Sequence, residues 1–195
     1  SSVRGLVQKG KAVERSGSIP LASGLVREGL ILEPEAVGRA IGDLLSSLGV
    51  RGGKVIASLA GLRSTSRLLV LPRIKRALLE EAVRRGAKKE MALPLEELYL
   101  SWLSMGGEGD ELEVFVVGVP RDLVDAEVQT LKGCGVKPYI LDLKPLALAR
   151  VVNRRKALII DLEPDGFGIT LVVGGTPVIM RTITPKREGV ILEDV

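Results

Sequence analysis

The chain has 195 residues, of which 46% are hydrophobic and 27% charged, with a net charge of +4. That suffices for one large domain or two small ones with true cores, and so mild a charge makes no case for a nucleic-acid partner. Histidine is absent and Cys134 is the sole cysteine, which excludes His-based triads, most zinc sites and an intrachain disulfide.

In chain order, Val3 to Val7 and Ala12 to Gly17 flank a polar turn and read as a hairpin. Ile19 to Val26 is extended and loop-like. Pro34 between Glu33 and Glu35 is a strong helix start, and Ala36, Val37, Ala40, Ile41, Leu44, Leu45 and Leu48 recur at helical spacing until Gly49. Lys54 to Ala60 and Ser64 to Leu71 read as strands. A second helix is expected over about Arg73 to Lys88, with Ile74, Leu78, Ala82 and Val83 inward. Leu95 to Leu103 and Leu112 to Val119 read as strands around the Gly-rich stretch 106–110. In the first of these, Leu98, Leu100 and Trp102 alternate with Tyr99 and Ser101, giving one wet face. A third helix covers about Arg121 to Lys132, a strand Val136 to Leu143, and a short helix Pro145 to Val152. The basic clusters 84–89 and 154–156 read as solvated helix ends.

Ala157 to Arg181 is the most distinctive stretch. Leu158-Ile159-Ile160 is a continuous apolar run, which predicts a strand buried on both faces and ending in Asp161. Pro164-Asp165-Gly166 supplies a turn, and Phe167 to Val173 a second strand. Gly174-Gly175 turns the chain into a third, Pro177 to Ile183. An acid at the mouth of a strand beside a hairpin is how actin-like ATPases hold the phosphate end of a nucleotide; an ordinary meander has the same local pattern. The order strand, helix, strand, strand, helix, strand over 64–143 predicts a ferredoxin-like split βαβ module inserted into its host. The host sheet is expected to combine residues 3–17, 54–60 and the strands after Ala157. No apolar run approaches the ~20 residues of a membrane span. The chain begins at Ser1 without methionine, so a start beyond it is expected to be missing.

The chain resembles the type IV pilus assembly protein PilM family, relatives of the cell-division protein FtsA within the actin/Hsp70-like ATPases. The likeness rests on Ser1-Ser2-Val3-Arg4 as the tail of a phosphate loop, on Leu25 to Gly29 with Ile31 to Val37, and on Leu71-Pro72, Leu79 to Val83 and Leu93 to Glu97. Val117 to Val124, Gly135 to Pro138, Leu141 to Leu143 and Pro145 to Arg150 continue it. The resemblance implies a mixed α/β fold, an actin-like first lobe with an inserted SHS2 (1C) subdomain and the start of a second lobe. The implied divisions are 1–63 (1A), 64–143 (SHS2/1C), 144–155 (a return helix to 1A) and 156–195 (the start of 2A).

The resemblance places a nucleotide, where one binds, near Ser1, Ser2, Asp161, Gly166 and Thr170. Yet the second phosphate loop reads Asp161-Leu162-Glu163 where the family has Asp, any residue, Gly. Glycine lets backbone N–H groups approach phosphate, and a glutamate adds bulk and like charge there. ATP with Mg²⁺ is therefore expected only in a longer parent, not in this chain, and no catalytic or metal-ligating residue is assigned. The implied role is a cytoplasmic, non-enzymatic scaffold, peripheral at the inner membrane. It docks the tail of a PilN-like inner-membrane protein between the first lobe and the insert and touches the membrane only through that partner. Leu59, Arg67, Leu69, Arg73, Ile74 and Leu78 are the candidate wall, with acidic or amide groups of the partner meeting Arg67, Arg73 or Arg76. A second copy of the chain is a further open partner. The alternative is an ATP-binding and hydrolysing protein of the FtsA branch.

Overall fold

The computed structural model describes residues 2–61, 63–91, 93–163 and 166–183. The chain opens with a hairpin, β1 (Ser2–Lys9) and β2 (Ala12–Pro20), paired antiparallel. The two-residue strands β3 (Val26–Arg27) and β4 (Leu30–Ile31) follow in the stretch expected as loop. Helix α1 (Pro34–Ser47) starts at the predicted proline, with Glu35 in its first turn to suit the dipole. It lays Leu44 and Leu48 against the hairpin.

β5 (Val55–Leu59) and β6 (Thr65–Pro72) come next, then α2 (Arg76–Glu90). A 3-10 turn, Leu95–Glu97, precedes β7 (Leu98–Gly106) and β8 (Glu111–Pro120). The three strands form an antiparallel sheet in the order β6-β8-β7. As the alternation predicts, Leu98 is buried while Tyr99, Ser101 and Leu103 face outward. Helix α3 (Arg121–Gly133), β9 (Pro138–Leu143) and α4 (Lys144–Val152) lead to the meander β10 (Lys156–Glu163), β11 (Gly166–Val173) and β12 (Thr176–Ile183).

The ferredoxin-like expectation is corrected by the pairing. β9 does not join β6-β8-β7; it pairs in parallel with β5, Ile56 opposite Ile140 and Leu59 opposite Leu143. Helix α3 packs chiefly on α1 and β4 rather than on the three-stranded sheet. The inserted sheet is thus strand, helix, strand, strand, with α2 on one face. The single host sheet is corrected as well: β1-β2, β5-β9 and β10-β11-β12 are separate ladders among the described residues.

The central strand β8 is buried on both faces from Val114 to Gly118. Its even-numbered side chains, Val114 and Val116, meet Leu69, Val83, Ala87, Met91 and Leu98 under α2. Its odd-numbered ones, Phe115 and Val117, meet Leu59 and Leu143, with Leu146 and Met180 alongside. Each fully buried Val, Leu or Met contributes about 1.5–3 kcal/mol of transfer free energy, so β8 joins two small cores.

Three local expectations change. Helix α2 begins at Arg76, leaving Arg73 and Ile74 in its approach, and Leu78 is 53% exposed instead of inward. β10 is covered on one face only: Leu158 is 63% and Ile160 58% exposed. On the same face the cross-strand neighbours Leu171, Ile169 and Phe167 are half-buried, and Ile179 and Ile183 are exposed. The turn residues Pro164 and Asp165 lie outside the described residues.

Candidate functional site: a groove between two sheets

A cavity of about 550 Å³ opens on the face of the three-stranded sheet opposite α2. Leu103 and Met105 on β7 and Phe115, Val117 and Val119 on β8 line one wall. The end of β9 and the helix α4 line the other, through Leu141, Asp142, Leu146, Ala149 and Arg150. The β11–β12 turn closes one end with Gly175, Thr176 and Pro177, beside Asn153, Arg154 and Arg155.

The sequence builds this groove by simple means. Strand alternation sends every second β8 residue to this side. Pro145 sits in the first turn of α4, where its missing N–H costs nothing, so the helix starts directly from β9. Asn153 ends the helix in the left-handed region (φ 46°), which asparagine tolerates, and its N–H reaches the Ala149 carbonyl. The chain then turns sharply into Arg154-Arg155. The Gly175 N–H donates to the Arg155 carbonyl at 2.9 Å and fastens the β11–β12 turn there.

Polar groups concentrate at the α4 side. Asp142 accepts the Leu143 N–H at 2.8 Å with one carboxylate oxygen and pairs with Arg150 through the other. β7 is an edge strand, so its outer N–H and C=O groups have no ladder partner among the described residues. Such a site can hold an extended apolar segment, with main-chain pairing to one wall and pockets for alternate side chains. Among the described residues no cluster of three metal-ligating side chains occurs. A second cavity of about 540 Å³ lies between α1 and α3, lined by Glu35, Arg39, Asp43, Gln129 and several glycines. Its lining side chains are charged, polar or small.

The residues expected to form a partner wall do not come together. Leu59 packs against Phe115 and Val117 on the groove side of the sheet, whereas Leu69 lies in the core under α2 on the other side. Ile74 and exposed Leu78 belong to the α2 region. Arg67 donates to the Glu90 carbonyl (3.0 Å) and the Ser66 carbonyl (2.7 Å). Arg73 donates to the carbonyls of Gly109, Gly107 and Glu111 and fastens the β7–β8 loop. Both guanidiniums are engaged by their own chain. Sequence reasoning missed the β7 and β8 outer face; the exposed alternation at Ser101 and Leu103 was the available signal.

Of the nucleotide candidates, Ser1 lies outside the described residues and Ser2 opens β1, opposite Pro20. Asp161, opposite Gly168 on β11, forms an ion pair with Lys144 at the start of α4. Gly166 opens β11, and Thr170 is buried between Ile159 and Met180 in the meander. Burial raises the carboxyl pKa of Glu127 on α3.

The architecture is a mixed α/β chain in which an inserted three-stranded sheet faces a parallel strand pair across a groove. Residues 4–180 match the family of type IV pilus assembly protein PilM, and the chain belongs to that family. Among solved structures it is similar to the PilM–PilN type IV pilus biogenesis complex, with 26% identity and a TM-score of 0.79. That match covers 94% of this chain and 59% of the other. It is also similar in fold to the cytoplasmic domain of EpsL, an inner-membrane component of the type II secretion system of Vibrio cholerae. Here the identity is 18% and the TM-score 0.64, over 94% of this chain and 66% of that one. The chain therefore spans about three fifths to two thirds of the length of these structures, part of the actin-like fold that its motifs imply. No curated protein matches the chain at a significant level. Among the described residues no helix is long and apolar enough to cross a membrane.

Proposed function

We propose that this chain is a docking component of the type IV pilus assembly machinery. Its groove between the β7–β8 face and the β9–α4 unit receives an extended tail of a PilN-like inner-membrane protein. The carrying observation is the groove itself, an apolar floor beside an open strand edge. The similar solved structure is a complex of PilM with PilN, which supports a partner of this kind. The role is non-enzymatic, and the protein works on the cytoplasmic side, held at the inner membrane through its partner. ATP with Mg²⁺ belongs to a longer parent, where it binds at all. In this chain the Asp161 carboxylate pairs with Lys144, and the turn beside it reads Asp161-Leu162-Glu163 where a phosphate loop has glycine.

A PilN-type tail peptide, labelled and titrated by fluorescence anisotropy, tests the reading. Leu103 is 62% exposed on the groove wall, so Leu103→Gln spares the fold. If the tail buries Leu103, the loss is about tenfold in affinity. Equal binding to wild type and variant would overturn the groove as the docking site.

A further inference from the structure

The groove is apolar along its floor and basic at one end. Arg150 is engaged by Asp142, the sole acid lining the cavity among the described residues, and Asp142 also accepts the Leu143 N–H. Arg154 and Arg155 line the same end, both exposed, and no carboxylate among the described residues pairs with either. They are not on a free loop: the left-handed Asn153 and the Gly175-to-Arg155 hydrogen bond hold their backbone at the mouth. Among the described residues the lining thus carries two more positive than negative groups, so a carboxylate brought by an occupant meets two guanidiniums that no acid of the chain engages.

From this charge pattern we infer that the occupant is an apolar segment carrying an aspartate or glutamate at the end that lies by the C-terminus of α4, set against Arg154 and Arg155. The inference rests on the docking reading above and adds the occupant's polarity and direction. A guanidinium matches a carboxylate in a two-point fork, so a pair of arginines fixes where one end of the segment stops. The floor of Leu103, Phe115, Val117 and Val119 offers a charge nothing, so the same acid placed mid-segment is excluded by desolvation. The position of the charge then selects one direction of the chain along the β7 edge. A helix-end role for these arginines, as cations near the C-terminus of α4, predicts no preference in the occupant.

The probe is a phage-displayed library of random octapeptides, selected separately on the wild-type chain, on Leu103→Gln, and on the double variant Arg154→Glu/Arg155→Glu. All three altered side chains are exposed, and matching thermal melts establish that the folds are equivalent. The expected result is an apolar run ending in Asp or Glu, lost on Leu103→Gln, with the double variant selecting Lys or Arg at that end. Synthetic peptides bearing Glu should bind wild type about fivefold more tightly than their Gln counterparts, as suits a rim-exposed pair, with the gap closing at high salt. Leu103-dependent peptides without acid enrichment, or the same acidic peptides selected by the double variant, would overturn the inference and leave the docking reading intact. Peptides indifferent to Leu103 would overturn both.

Discussion

Val116 and Val117 are neighbours on β8 that face opposite cores, and they separate stability from docking. Val116 is fully buried under α2; Val117, also buried, forms part of the groove floor. Val→Ala at either position deletes two methyl groups, a transfer loss of about 1.6 kcal/mol. The cavity left behind raises this to about 2–3 kcal/mol. For a chain of this size each kcal/mol moves the midpoint by about 2–4 °C, so both variants should melt about 4–12 °C lower. Binding should divide them. Val117 keeps only 6% of its surface exposed, so a tail covers little of it directly and Val117→Ala should weaken affinity by about 1.5- to 2-fold. Val116→Ala, screened from the groove by the sheet, should bind like wild type wherever it is folded. Circular dichroism melts and anisotropy titrations with a PilN-type tail read the two effects. Equal loss of affinity in both variants, well below their melting range, would refute the two-faced account of β8.

Three further outcomes follow from the same geometry. A side chain at Gly118 would place its Cβ 2.9 Å from Leu98 Cδ1 and 3.1 Å from Met91 Sδ, so Gly118→Ala should destabilise by about 1–3 kcal/mol through overpacking. Urea titration checks this, and Leu98→Val should recover part of it in the double variant. Burial raises the Glu127 carboxyl above its ordinary range. The folded state therefore binds that proton more tightly than the unfolded one, and the resulting stability is lost as pH rises through the raised pKa. Glu127→Gln should stabilise at neutral pH and have no effect below the ordinary glutamate pKa; an equal gain at both pH values in urea melts would contradict this. With Asp161 held by Lys144, millimolar Mg·ATP should leave the melting temperature unchanged, whereas a saturable, Mg²⁺-dependent rise abolished by Asp161→Ala would reverse the non-nucleotide reading.

Element types were legible in the sequence because periodicity is a local property. Helix α1 starts at Pro34, and the alternation of Leu98, Tyr99, Leu100 and Ser101 became one buried and one outward face of β7. The family was legible too, from the order of motifs along 4–180. Strand partners were not. The order strand, helix, strand, strand, helix, strand is compatible with β9 closing a four-stranded sheet or leaving it, and only packing of α3 on α1 and pairing with β5 selects the second. The apolar run Leu158-Ile159-Ile160 states that both faces suit burial, but not whether anything covers them. The expected partner wall is split between two faces for the same reason. Leu59 and Leu69 are both apolar strand residues, and what puts a sheet between them is the register of β6 on β8, which joins residues some fifty positions apart. Hydrophobicity decides that a side chain is buried; the long-range pairing of strands decides with what, and on which side of the groove.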